Sequence, residues 1–149
     1  MKSSETFDFH IRWAWYKISR LYNSIAQEHG VNMSVGYALI KIDPEHGTPS
    51  TKLGPLMGME SRSLTRTLKA MEEDNLIKRV PDQKDKRVIR IVLTDYGITQ
   101  RDIAKKVVID FNTIIYNKLT EDEKENFFSS IGKINEVLES ELFKKRKKN

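Results

Sequence analysis

The stretch MESRSLTRTLKAMEEDNLIKRVPDQKDKRVIRIVLT, residues 59–94, decides the fold. Leu64, Leu68 and Met71 are spaced by four and three residues, so they form one apolar stripe of a helix that faces a core. Ser61 is placed to cap that helix. Its opposite face carries Arg62, Ser63, Thr65, Arg66 and Lys69, side chains that donate to phosphates and base edges. Asn75 follows the last turn, where a residue tolerating the left-handed conformation is needed. Residues 76–80 and 88–93 are rich in branched side chains and predict two strands, joined by the charged turn Pro81-Asp82-Gln83-Lys84-Asp85-Lys86-Arg87. A helix and a neighbouring hairpin thus present cations together, an arrangement suited to a nucleic-acid duplex.

These residues resemble the multiple-antibiotic-resistance regulator (MarR) family of bacterial winged-helix transcription factors. The resemblance rests on Ser63-Leu64-Thr65-Arg66, on Leu76-Ile77-x-Arg79, on Asp85-Lys86-Arg87 and on Leu93-Thr94-x-x-Gly97, and with the flanking helices it covers nearly the whole chain. Two positions depart from the usual pattern: Asn75 stands where the family most often has Gly, and Pro55 sits inside the preceding short helix.

Working outward, 149 residues are enough for one domain that buries roughly 70% of its unfolded surface. The formal charge is +5 and the pI is about 9.3, which favours a polyanionic partner. Between Ser61 and Arg90 nine basic residues face five acidic ones, so most of the excess lies in the helix and hairpin. There is no cysteine, which excludes a disulfide framework, a thiolate metal site and a thiol redox switch. No apolar run is long enough to span a bilayer, and the first residues, MKSSETFDF, lack a basic region followed by an apolar one. A cytoplasmic protein is expected.

Residues 6–29 predict a long first helix with Phe7, Ile11, Trp15, Ile18, Tyr22 and Ile25 on a broad apolar face, ended by Gly30. That face suits either an intrachain core or a second subunit. Residues 33–42 predict a second helix that buries Val35, Ala38, Leu39 and Ile42. Thr48 before Pro49 reads as the capped start of a short third helix ending near Met57. With the Ser61 helix it makes a helix-turn-helix pair. A fifth helix starts at Thr94, and Thr120-Glu121-Asp122-Glu123 is a capping box opening a sixth that carries Phe127, Phe128, Ile131, Ile134, Leu138 and Leu142. The tail Lys144–Lys148 is a basic run, and no internal repeat is present.

The fold class expected is mainly α with a small β-wing. Residues 33–93 would form the winged helix-turn-helix DNA-binding lobe, and 1–32 with 94–149 a helical dimerisation lobe. No nucleophile elbow, phosphate loop, dinucleotide fingerprint or metalloprotease helix occurs, so no enzyme, cofactor or metal site is expected. A winged helix used only for protein contacts would leave Arg62, Arg66, Lys84, Lys86 and Arg87 without a shared partner. A single-strand or RNA binder would show exposed stacking aromatics on the helix or wing, and none is present there.

The resemblance implies a homodimeric repressor on a palindromic duplex operator, with Ser61, Arg62, Ser63, Thr65, Arg66 and Lys69 at the groove and Lys84, Asp85, Lys86 and Arg87 in the wing. It implies that Arg87 reaches the minor groove with Asp85 orienting it. It places Phe7, Ile11, Phe127, Phe128, Ile131 and Leu138 at the dimer interface. A small phenolic or other aromatic effector would lie where the first helix meets the DNA-binding lobe, with Trp13, Tyr16 and Tyr37 as candidate contacts and Trp15 beside them. The family includes peroxide sensors that use a cysteine, a route closed to this chain.

Overall fold

A computed structural model describes residues 2–140. After one 3-10 turn, Ser3–Glu5, come α1 (Phe7–Glu28), α2 (Met33–Lys41), β1 (Thr48–Pro49), α3 (Ser50–Met57) and α4 (Ser61–Glu73). They are followed by β2 (Ile77–Pro81), β3 (Ile89–Leu93), α5 (Asp95–Tyr116) and α6 (Glu121–Glu139). The fold class is the expected one, mainly helical with a small antiparallel sheet. Two compact units are present, Met1–Val108 and Ile109–Asn149, and their boundary falls inside α5.

In the first unit the core is closed by Val35, Ala38, Leu39 and Ile42 of the α2 segment, Leu53 of α3, the α4 stripe, Leu76 just before β2, and Ile77 and Ile91 of the sheet. The α4 spacing therefore delivers Leu64, Leu68 and Met71 to this core as expected. α1 contributes no buried residue, and Phe7 and Trp15 are 76% and 56% exposed. The intrachain-core reading of its stripe is not met.

Two sequence expectations are corrected at helix starts. Ser61 is the first residue of α4, and the cap position falls to Glu60, whose side chain makes no capping bond. Thr48 and Pro49 do not open α3 but form a third strand, Thr48 opposite Ile91 and Pro49 opposite Arg90. The sheet order is β1-β3-β2. Thr48 is buried, and its hydroxyl accepts from the Asp43 amide at 2.9 Å instead of capping a helix. β3 thereby gains a partner on the edge that a two-stranded wing would leave open. Pro81 closes the outer strand β2, where a missing amide is tolerated.

α3 runs through Pro55 and ends at Gly58, which adopts φ 60°. Asn75 takes φ 56°, so it does supply the left-handed residue after α4. The Thr94-x-x-Gly97 spacing has a direct cause. The Thr94 hydroxyl donates to the Asn75 carbonyl at 2.6 Å and accepts from the Gly97 amide at 2.9 Å. A Cβ on Gly97 would overlap the Leu76 carbonyl oxygen. This junction locks the start of α5 onto the entry to β2.

The second unit holds the end of α5 and all of α6. The capping box is present: the Thr120 hydroxyl accepts from the Glu123 amide at 3.3 Å and Glu123 accepts from the Thr120 amide at 2.8 Å. Phe127, Phe128 and Leu138 are exposed and Ile131 is half-buried. Leu142 and the basic tail lie outside the described residues.

Candidate nucleic-acid interface

α4 is held by its buried stripe, which leaves the other face to solvent. Ser61, Arg62, Ser63, Thr65, Arg66 and Lys69 are all exposed. The structure thus brings the six helix candidates onto one side, but they are not equally available. The Thr65 hydroxyl donates to the Ser61 carbonyl at 2.8 Å. Lys69 lies 3.7 Å from Glu73 one turn on, so part of its charge is already balanced. Arg62 and Arg66 have no hydrogen-bond or ion-pair partner among the described residues, which leaves their guanidinium donors open to a ligand.

The wing is organised by two carboxylates. Asp82 accepts from the Lys84 and Asp85 amides at 2.8 and 3.1 Å, an Asx turn that shapes the tip. Its other oxygen accepts from Arg90 Nε at 2.8 Å, and Arg90 Nη1 donates to the His46 and Gly47 carbonyls at 3.2 and 3.1 Å. These bonds, with that of Arg90 foremost, hold the Asp82 carboxyl down at about 2. A depressed carboxylate stabilises above its ordinary value and ceases to do so only as pH falls through about 2. Asp82 and Arg90 were not singled out from sequence, although Pro81-Asp82 is itself a turn signal.

Asp85 grips Arg87 twice, Nε to Oδ1 and Nη2 to Oδ2, both at 3.0 Å. The same Oδ1 accepts from the Arg87 amide at 3.1 Å. Arg87 holds the Asp85 carboxyl below its ordinary value, and Asp85 in turn raises the guanidinium. The Arg87 side chain nevertheless stays 91% exposed, aimed outward with Nη1 unused. Lys84 and Lys86 are exposed beside it.

A cavity of about 520 Å³ opens among α1, α2, α5 and the α3–α4 turn, within the first unit. Of the effector candidates, Tyr37 lines it and Trp13 and Tyr16 do not. Those two stack on each other 5.6 Å apart, with Lys17 and Arg20 over their rings. Trp15, named beside them from sequence, does stand in the cavity wall, as does Tyr22, whose partial burial raises its hydroxyl above its ordinary pKa. Their separation of seven residues, two helical turns, was the signal available in the sequence. Met57 and Met59, on either side of Gly58 in the turn leading to α4, also line it.

The family model described as MarR family matches residues 32–89, which hold α2, the helix-turn-helix and most of the wing. Over those residues the chain matches the MarR family. It is 26% identical over 117 residues to the HTH-type transcriptional regulator SarZ of Staphylococcus epidermidis, covering 77% of this chain and 76% of that one. Against the HTH-type transcriptional regulator BilQ of Clostridium symbiosum it is 23% identical over 120 residues, covering 80% and 83%. In fold it is similar to MepR of S. aureus, solved as a DNA complex, with TM-score 0.82 at 18% identity over 89% of this chain and 98% of that one. CouR of Rhodococcus jostii, solved with p-coumaroyl-CoA, gives TM-score 0.79 at 18% identity over 90% and 94%. The chain thus shares a winged-helix fold with proteins solved on DNA and with a small molecule. Among its described residues no helix is long and apolar enough to cross a membrane.

Proposed function

We propose that this chain is a regulator of the MarR family, a cytoplasmic, homodimeric repressor that binds a palindromic duplex operator. One observation carries the reading: Arg62 and Arg66 stand unpartnered on the exposed face of α4, beside a wing whose Asp85 aims Arg87 outward. Residues 33–93 act as the DNA-binding lobe. Residues 1–32 and 94–149 pair the protomers, placing two α4 helices in successive major grooves about 34 Å apart. Ser63, Thr65 and Arg66 serve base edges, while Ser61, Arg62, Lys69, Lys84 and Lys86 serve phosphates. An aromatic effector occupies the cavity, bears on Met57 and Met59, and so shifts α4 relative to the rest of its lobe. A protein-only interaction module would give the exposed cations of helix and wing no common ligand.

A mobility-shift series on operator and random duplex tests this. Arg66→Ala should cost about 1–3 kcal/mol on the operator and much less on random duplex. Equal losses on both would remove Arg66 from base recognition, and no duplex binding by the parent protein would overturn the reading.

Assembly is tested separately. Phe127 is 55% exposed in the single chain and packs edge to face on Phe128 at 5.4 Å. Phe127→Glu should raise the dimer dissociation constant by roughly 30-fold or more, the loss expected when an aromatic anchor becomes a buried charge. Sedimentation equilibrium reads this directly, and a concentration-independent monomer for the parent chain would exclude the dimer.

A further inference from the structure

Among the described residues, the wall of the cavity beside the helix-turn-helix holds no Lys, Arg, Asp or Glu. Its polar side chains are Tyr22, His29, Ser34, Tyr37 and Gln100. Resting on the regulator reading above, we propose that this cavity selects a neutral lipophilic aromatic molecule and discriminates against carboxylates and ammonium ions of the same shape.

Desolvation drives the selection. A carboxylate entering this wall sheds water and finds no Lys or Arg among the lining residues, Lys41 being engaged over the Tyr37 ring, whereas an amide or hydroxyl is satisfied by one or two bonds to Gln100 or a tyrosine hydroxyl. An ammonium ion fares no better, because no carboxylate lines the cavity. The aromatic faces are a weak substitute: Lys41 already sits 5.1 Å from the Tyr37 ring centroid and repels a second cation there. Neutral planar bodies, by contrast, gain from Trp15 and Tyr22, and the thioethers of Met57 and Met59 adapt to their outline. The volume of about 520 Å³ falls in the range of small-molecule sites.

Calorimetric titration of the full chain, without DNA, tests this with three probes that share one bicyclic body: naphthalene-2-carboxamide, naphthalene-2-carboxylate and 2-naphthylmethylammonium. The carboxamide should bind at least tenfold more tightly than either ion. Gln100→Arg, made on a half-exposed position of α5, should reverse the order of carboxamide and carboxylate. A preference below tenfold, an absence of saturable carboxamide binding up to its solubility limit, or an unchanged order in Gln100→Arg would each overturn the proposal. Since no DNA is present, the two readings fail separately. A protein that selects the carboxamide yet ignores duplex would overturn the regulator reading and leave the cavity's chemistry supported.

Discussion

α4 and the wing hold their exposed cations by opposite means. α4 is fixed from behind: Leu64, Leu68 and Met71 are buried at 8%, 4% and 0% exposure, and its outward arginines need no support from each other. The wing has no such backing, since Lys84, Lys86 and Arg87 are exposed and only a thin hairpin lies beneath them. There the scaffold is polar. Asp82 ties the tip to Arg90, Arg90 ties it to the carbonyls before β1, and Asp85 aims Arg87. A regular element can hold a side chain through apolar burial alone, whereas a turn must spend carboxylates to do so, even next to a polyanion. Damage to the first scaffold should therefore spread through the domain, and damage to the second should stay local.

The largest effect follows from the apolar scaffold. Leu68→Ala removes a fully packed side chain from the middle of the α4 stripe and should cost about 2–5 kcal/mol of global stability. Urea unfolding measures this, and operator binding should fall with the folded fraction. A loss below about 1 kcal/mol would mean that α4 is not held by its stripe, and the contrast with the wing would collapse.

Asp82→Ala comes next, and its signature is local. The urea midpoint should barely move, while hydrogen exchange of the Lys84, Asp85 and Val88 amides should accelerate on the order of tenfold as the tip loosens. Because the Asp82 carboxyl stays ionised down to about 2, the parent protein should show no such loosening between pH 5 and 8 and should approach the variant only as pH falls from about 4 toward 2. Loosening of the parent near pH 6 would point to a different tether.

These two scaffolds differ in how well the sequence discloses them. α4 is legible because a stripe at four-and-three spacing has one regular solution. The capping box at Thr120 is legible because both of its bonds close within three residues. β1 is not, since two residues carry no period and their partners Ile91 and Arg90 lie more than forty positions away. Arg90 shares that fate: a basic residue in a strand reads as surface charge, and only the fold brings the His46 and Gly47 carbonyls to it. Thr48 before proline reads locally as a helix cap, but in the fold its hydroxyl is taken by the Asp43 amide. In the cavity, Trp13 and Tyr16 rest on aromatic content alone and lie outside, while Trp15, a candidate with them, and Tyr22 lie on the α1 stripe and line it.

The smallest effect tests the sharpest claim, that an acidic residue helps the wing bind a polyanion. Arg87→Ala removes one outward cation and should weaken operator and random duplex alike, flattening the slope of log affinity against log salt by roughly 1. Asp85→Ala removes a negative charge, and simple Coulomb reasoning predicts tighter binding. Two considerations oppose this. At physiological ionic strength the Debye length is about 8 Å, so a lone exposed carboxylate repels phosphates only feebly. The double grip of Asp85 on Nε and Nη2, together with its bond to the Arg87 amide, fixes both the side chain and the backbone that carries it. Without that grip, ordering the guanidinium on DNA costs side-chain entropy of up to about 2 kcal/mol at the moment of binding. Asp85→Ala should thus weaken binding by a fraction of the Arg87→Ala loss and leave the salt slope unchanged, since no cation has been removed. In the Arg87→Ala background the same change should do nothing or tighten binding, because there is no guanidinium left to aim. Tighter binding in Asp85→Ala alone, at about 0.15 M salt on the same operator, would show Asp85 to be an unfavourable charge and the wing's polar scaffold to end at Asp82.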